Sequence, residues 1–175
     1  MLLGNHIRTI PDYPKPGVLF RDVTTLILDP AAFRQAVLEL AEPYSGKEID
    51  KVVGIEARGF IFGAAVAYQL NVGFVPARKA GNLPHAVFQQ HYELEYGSNA
   101  LEIHKDAIQP GEKIIVIDDL LATGGSACAA IDLVLGARGS VVSCGFVVEL
   151  LDFVGRQRIE SKDIEVHALC EFKDI

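Results

Sequence analysis

Ile114-Ile115-Val116-Ile117-Asp118-Asp119-Leu120-Leu121-Ala122-Thr123-Gly124-Gly125-Ser126 is the stretch that decides how this chain folds. Its first four residues are β-branched and apolar without interruption, the pattern of a strand buried on both faces of a parallel sheet. The strand delivers Asp118 and Asp119 to its carboxyl end, where open α/β sheets bind their ligands. A loop of small residues follows, with two hydroxyls and two glycines that let backbone amides converge. The loop runs into a helix whose free N–H groups and positive dipole end favour an anion. A phosphate cup flanked by two carboxylates results. Carboxylates repel phosphate, so a hydroxylic or metal-bound group must lie between them. A ribose 5-phosphate with its 2′ and 3′ hydroxyls meets both demands, and Mg²⁺ suits the same place. No G-x-x-x-x-G-K-[ST] and no G-x-G occur in the chain, which removes the triphosphatase and dinucleotide fingerprints.

The same rhythm extends on either side. Val52–Ile55, Gly73–Ala77, Lys113–Ile117, Val141–Val148 and Glu165–Leu169 read as strands, with helices over Phe60–Leu70 and Ser126–Leu135. Such alternation predicts an α/β fold with a central, mainly parallel sheet flanked by helices, in one domain spanning 1–175. Asp29 and Pro30 form a cap and first turn for a surface helix whose apolar stripe is Phe33, Ala36, Val37, Leu40 and Ala41. Residues 10–17 carry three prolines, so the segment up to about residue 30 reads as an extended, hood-like arm. Between Arg78 and Leu101 the chain is polar, aromatic and punctuated by glycine. Connections of that length are commonly lids or binding loops, so about 79–100 is read as a mobile lid, part of it able to form a hairpin.

The chain has 175 residues, with 16 Lys and Arg against 23 Asp and Glu, for a net charge of −7. That balance argues against nucleic-acid and anionic-membrane partners, which need a basic face. Cys128, Cys144 and Cys170 are odd in number, far apart and set in apolar stretches, so they read as buried free thiols. With no signal peptide and no apolar run near the ~20 residues of a spanning helix, the expectation is a cytoplasmic protein. The five histidines show no metal-binding spacing.

The acidic strand and its small-residue loop resemble the signature of the type I phosphoribosyltransferases. Further segments are similar to the adenine branch of that family: Pro11-Asp12-Tyr13-Pro14, Gly17 to Asp22, Glu56-Ala57-Arg58-Gly59-Phe60, Arg78-Lys79, Tyr92 to Gly97 and Leu101 to Ile108. The resemblance runs from about Ile7 to Leu151. It implies the family fold with hood and lid, and transfer of phosphoribosyl from its pyrophosphate to adenine, giving AMP and pyrophosphate in purine salvage. It implies that Ala122, Thr123, Gly124, Gly125 and Ser126 hold the 5′-phosphate and that Asp118 and Asp119 face the ribose. Arg58, Arg78 and Lys79 would meet the pyrophosphate, with Mg²⁺ as cofactor held mainly through substrate and cations donated in part by a second subunit of a homodimer. Phe20 would stack on the purine with Leu150 opposite, and the backbone near Leu19 and Arg21 would read its edge. Glu95, on the lid with Tyr96, would stand beside the base and accept its proton.

Three places depart from the family pattern: Asn82 stands where a basic residue is usual, removing one cation on the pyrophosphate side; Ser126 replaces a common Thr and keeps the hydroxyl; and Thr24-Thr25 stands in place of a frequent Thr-Pro. Two alternatives stay open on the sequence. The same fold could act on an oxopurine, against which Phe20-Arg21 and Glu95-Tyr96 speak. A regulatory module could keep the pocket and lack turnover, although one domain leaves no room for an output domain. From Phe153 to Ile175 the resemblance fades and assigns no role.

Overall fold

The computed structural model describes residues 1–93 and 98–173. In chain order the elements are β1 (Arg8–Pro11), β2 (Leu19–Asp22), α1 (Thr24–Leu28), α2 (Pro30–Ala41), β3 (Lys51–Ile55), α3 (Gly59–Leu70) and β4 (Gly73–Lys79). Then follow β5 (Val87–Glu93), β6 (Ser98–His104), β7 (Lys113–Leu121), α4 (Gly125–Gly136), β8 (Ser140–Leu150), α5 (Gly155–Glu160) and β9 (Glu165–Phe172). The main sheet has the order β5-β6-β4-β3-β7-β8-β9. From β4 to β9 its neighbours are parallel, and β5 and β6 add an antiparallel hairpin at the β4 edge.

The uninterrupted apolar run of β7 is explained by what lies on each side of the sheet. Ile114 and Val116 face one core with Ala127, Ile131 and Val134 of α4, while Ile115 and Ile117 face the other with Val37 and Leu40 of α2 and Phe62 and Val66 of α3. All four β7 residues are fully buried. From β3 the chain steps outward to β4 in one direction and later to β7, β8 and β9 in the other. The order therefore reverses between β3 and β7, and a crevice opens at their carboxyl ends.

Glycine lets α3 sit close to that crevice. A Cβ on Gly59 would lie 2.6 Å from Asp118 Oδ1 and 3.1 Å from both Asp118 Cα and Ile117 O, and one on Gly63 would lie 3.1 Å from Gly54 Cα. Only hydrogen at these positions allows the helix to pack against β3 and β7.

Several elements extend past their expected bounds. Strand β7 continues through Leu121, because β8 is long enough to pair with it as far as Leu121 opposite Glu149. Asp118 and Asp119 are thus strand residues, with two further strand residues, Leu120 and Leu121, beyond them. The expected lid loop over 79–100 is largely strand: β5 and β6 pair from Val87 opposite His104 to Glu93 opposite Ser98. The buried Glu102 in β6 hides that strand from a hydropathy reading, and it is satisfied by Gly81 N–H at 3.0 Å and Gln89 Nε2 at 2.8 Å. The arm is an antiparallel pair, β1 with β2. Asp29 caps α2 by accepting from the Ala31 and Ala32 amides at 2.9 and 3.1 Å.

Candidate active site

At the β3/β7 crevice lies a cleft of about 350 Å³ lined by Ile55, Glu56, Ala57, Arg58, Tyr92, Asp118, Asp119, Leu120 and Ser126. Arg58, Asp118, Asp119 and Ser126, read from two separate segments of sequence, therefore share one space. Arg58 Nε donates to Asp119 Oδ2 at 2.5 Å, which neutralises one of the two carboxylates. Asp118 Oδ1 accepts from the Asp119 amide at 2.9 Å. Burial first, and then the neighbouring Asp119 charge, push the Asp118 carboxyl well above its usual range. Tyr92, from the hairpin, is also pushed up, by burial and by Asp118.

Beside this pair, residues 122–126 carry the chain from the end of β7 into the first turn of α4. Gly124 takes φ +75°, a left-handed conformation that glycine adopts without steric cost, and α4 starts at the next residue. A Cβ on Gly125 would lie 3.2 Å from Glu93 O and 3.3 Å from Tyr92 Cδ2, so the end of β5 rests on the cup. Ala122 is half-buried, Thr123 exposed and Ser126 half-buried at the start of the helix.

The cationic side is organised by Glu56, a residue given no role in the sequence reading. Its carboxylate receives Arg78 Nε at 3.2 Å and the Lys79 amide at 2.9 Å. Burial alone would raise the Glu56 carboxyl, but the Arg78 and Lys79 hydrogen bonds outweigh it and hold it below the ordinary value. Arg78 Nη1 also donates to Asn82 O at 3.0 Å. Asn82 thus contributes its backbone to the position of Arg78 although its side chain brings no charge. Lys79 is exposed.

On the hood, Phe20 lies above Arg58 with 5.4 Å from guanidinium carbon to ring centroid, and Tyr13 meets it edge-on at 5.2 Å. Leu19 is half-buried next to it, and Leu150 ends β8 on the same carboxyl edge of the sheet. The Arg21 side chain leaves the pocket. Its guanidinium stacks on Phe172 at 4.4 Å, and it donates to Thr9 Oγ1 at 2.6 Å and Lys173 O at 3.3 Å. It fastens the hood to the end of β9, a contact that needs residues the resemblance did not reach. Glu95 and Tyr96 lie outside the described residues. Among those described, no cluster of three His, Cys, Asp or Glu side chains suits a metal, and no helix is long and apolar enough to cross a membrane.

A family profile described as "phosphoribosyl transferase domain" matches residues 24–170. An adenine phosphoribosyltransferase of Ruegeria pomeroyi is 58% identical over 168 residues, covering 96% of this chain and 94% of the relative. The crystal structure of adenine phosphoribosyltransferase from Rhodothermus marinus superposes with a TM-score of 0.91 at 46% identity, covering 97% of this chain and 96% of that one. The Saccharomyces cerevisiae adenine phosphoribosyltransferase, solved with an imino-altritol bisphosphate and adenine, gives a TM-score of 0.89 at 40% identity, covering 95% and 96%.

Proposed function

The chain belongs to the adenine phosphoribosyltransferases of the phosphoribosyl transferase family, and from that premise we propose how its residues divide the reaction. The enzyme joins adenine to C1′ of phosphoribosyl pyrophosphate, releasing pyrophosphate and forming AMP. The observation that carries the assignment of roles is the shared cleft: two carboxylates, an arginine and Ser126 at the start of α4 converge there, with Phe20 stacked on the arginine.

The 5′-phosphate sits on the amides of residues 122–126 and the Ser126 hydroxyl at the start of α4. Asp118 and Asp119 accept from the ribose hydroxyls. Arg58, Arg78 and Lys79 face the pyrophosphate. As the C1′–O bond breaks, negative charge grows on the departing oxygens, and cations already in place lower the barrier most at that moment. Glu56 holds Arg78 ready for that task. The paired carboxylates at the strand end, Asp118 and Asp119, fit an Mg²⁺ carried in by the substrate. Bound Mg²⁺ supplies further positive charge to the leaving pyrophosphate.

Adenine lies between Phe20 and Leu150, with the Leu19 and Arg21 backbone along its polar edge. A carbonyl there accepts from the 6-amine and would be left unpaired by a 6-oxo base. Nitrogen N9 attacks C1′, and its proton passes to Glu95 on the segment that follows Glu93. The β5–β6 hairpin, whose Tyr92 lines the cleft, serves as the lid that keeps water from the activated sugar.

A homodimer belongs to the same proposal. Leu28 and Tyr68 are 80% and 88% exposed, and Phe33, Val37, Leu38 and Ala65 line an apolar groove beside Tyr68. Large side chains this exposed suit a second copy, and sedimentation velocity reads the outcome directly as monomer or dimer mass. A cytoplasmic location is supported by the three free, buried cysteines.

The enzymatic reading is tested with purified protein, phosphoribosyl pyrophosphate and Mg²⁺, offered adenine, guanine, hypoxanthine or xanthine in parallel. AMP formation from adenine alone is expected. Turnover of an oxopurine overturns the hood assignment, and tight AMP binding without turnover favours the regulatory alternative.

A further inference from the structure

We propose that Arg158, together with Gly155, positions the phosphate loop: α5 holds the loop's carbonyls outward and thereby turns its amides toward the phosphate. The inference rests on the reading of residues 122–126 as the 5′-phosphate site, and concerns a segment to which neither sequence motif nor resemblance gave a role.

The geometry is carried by three consecutive peptide groups. The Gly155 amide donates to Ala122 O at 3.0 Å, Arg158 Nη1 donates to Thr123 O at 2.9 Å, and the Cys128 amide donates to Gly124 O at 2.9 Å. None of these three peptides is cis. A planar trans peptide sets its C=O and N–H on opposite sides. Fixing the three carbonyls therefore directs the Thr123, Gly124 and Gly125 amides away from their partners, into one concave array suited to an anion. Helix α4 fixes the last of the three by its own hydrogen bonding. Thr123 precedes the helix, and Arg158 supplies from outside the donor that a further helical turn would have given.

The brace is itself anchored. Arg156 Nε donates to Glu149 Oε1 at 2.8 Å, a second Arg156 nitrogen pairs with Glu149 Oε2, and Arg156 Nη1 reaches Val166 O at 3.0 Å. Glu149 is buried in β8 and stands opposite Leu121 of β7, so α5 is tied to the strand that pairs with the one carrying Asp118 and Asp119. At Gly155 the contact between α5 and the loop is backbone on backbone. A Cβ on Gly155 would lie 2.3 Å from Ala122 O, and one on Gly124 would lie 3.0 Å from Gly155 Cα. No α5 residue is among those lining the cleft. Arg158 is exposed and thus a positioning residue with little part in the core.

The test uses Arg158→Ala and Arg158→Lys in the full chain, because Gly155 variants risk misfolding. Calorimetric titration with ribose 5-phosphate, which has no base, reads the cup alone; steady-state kinetics then separate the two substrates. Arg158→Ala is expected to weaken ribose 5-phosphate binding and raise KM for phosphoribosyl pyrophosphate about tenfold, the worth of one charge-assisted hydrogen bond. The adenine KM, kcat and Tm should stay near wild type, and Arg158→Lys, which keeps a cationic donor, should recover most of the loss. Unchanged ribose 5-phosphate affinity in Arg158→Ala overturns the inference. So does a loss shared by adenine KM and kcat together with a fall in Tm, which marks a general structural role. Wild-type protein that fails to bind ribose 5-phosphate overturns the cup assignment itself, and this inference with it.

Discussion

Gly59→Ala puts one methyl group where the helix, the catalytic strand and the acidic pair meet. The new Cβ would lie 2.6 Å from Asp118 Oδ1 and 3.1 Å from two backbone atoms, Asp118 Cα and Ile117 O. Rotation of the carboxylate relieves the first contact at the expense of the 2.9 Å bond from the Asp119 amide, and cannot relieve the other two. Retreat of α3 is resisted by Phe62 and Val66, both fully buried. Two effects compete. Alanine gains helix propensity worth at most about 1 kcal/mol over glycine, and less at the first helical residue, where Gly59 stands. Overpacking costs about 1–3 kcal/mol. The clash wins, and Tm falls by about 2–8 °C, given about 2–4 °C per kcal/mol at this chain length. Because Asp118 is displaced with it, kcat/KM for phosphoribosyl pyrophosphate falls at least about tenfold. Gly136→Ala is the control, since nothing lies within 4 Å of its Cβ position, and it should leave Tm unchanged or slightly raised. Calorimetry and initial rates on both variants decide the matter. A Gly59→Ala protein as stable and active as wild type refutes the packing account.

Asp118→Asn should stabilise the ligand-free protein while abolishing most turnover. The folded carboxyl is raised above its unfolded value, so ionising it removes stability as pH rises past about 4; Asn escapes this, and Tm at pH 7 should rise, with the gain vanishing below about pH 4. A lower Tm at pH 7 contradicts it. Asp22 behaves oppositely: the Thr24 hydroxyl and then Arg8 hold its carboxyl down to about 2. Its contribution is complete above the ordinary carboxylate range and is lost as pH falls through about 2, so Asp22→Asn should cost about 1–2 kcal/mol at pH 7 in denaturant titrations and progressively less toward pH 2. Arg21→Ala unfastens the hood from Phe172 and should raise the adenine KM by about threefold to tenfold, the range of a half-buried cation–π contact, with the phosphoribosyl pyrophosphate KM little changed.

The parallel core was legible because β3, β7 and β8 are apolar on both faces and glycine marks where their helices begin. The turn from β7 into α4 was legible because loop, glycines and helix start are contiguous. What escaped depends on neighbours remote in sequence. Glu56 reads as a loop acid until β4 brings Arg78 beside it. β6 hides its strand character behind the buried Glu102, whose donors come from Gly81 and Gln89. Arg21 and Arg158 owe their roles to the carbonyls of Lys173 and Thr123, which lie far along the chain and carry no side-chain signature.

A crystal structure of the protein with AMP tests the central claim most directly. The account places the 5′-phosphate on the amides of Thr123, Gly124 and Gly125 and the Ser126 hydroxyl, the ribose hydroxyls on Asp118 and Asp119, and the purine between Phe20 and Leu150. A nucleotide bound with its phosphate away from this loop, or with its base outside the hood, would contradict it.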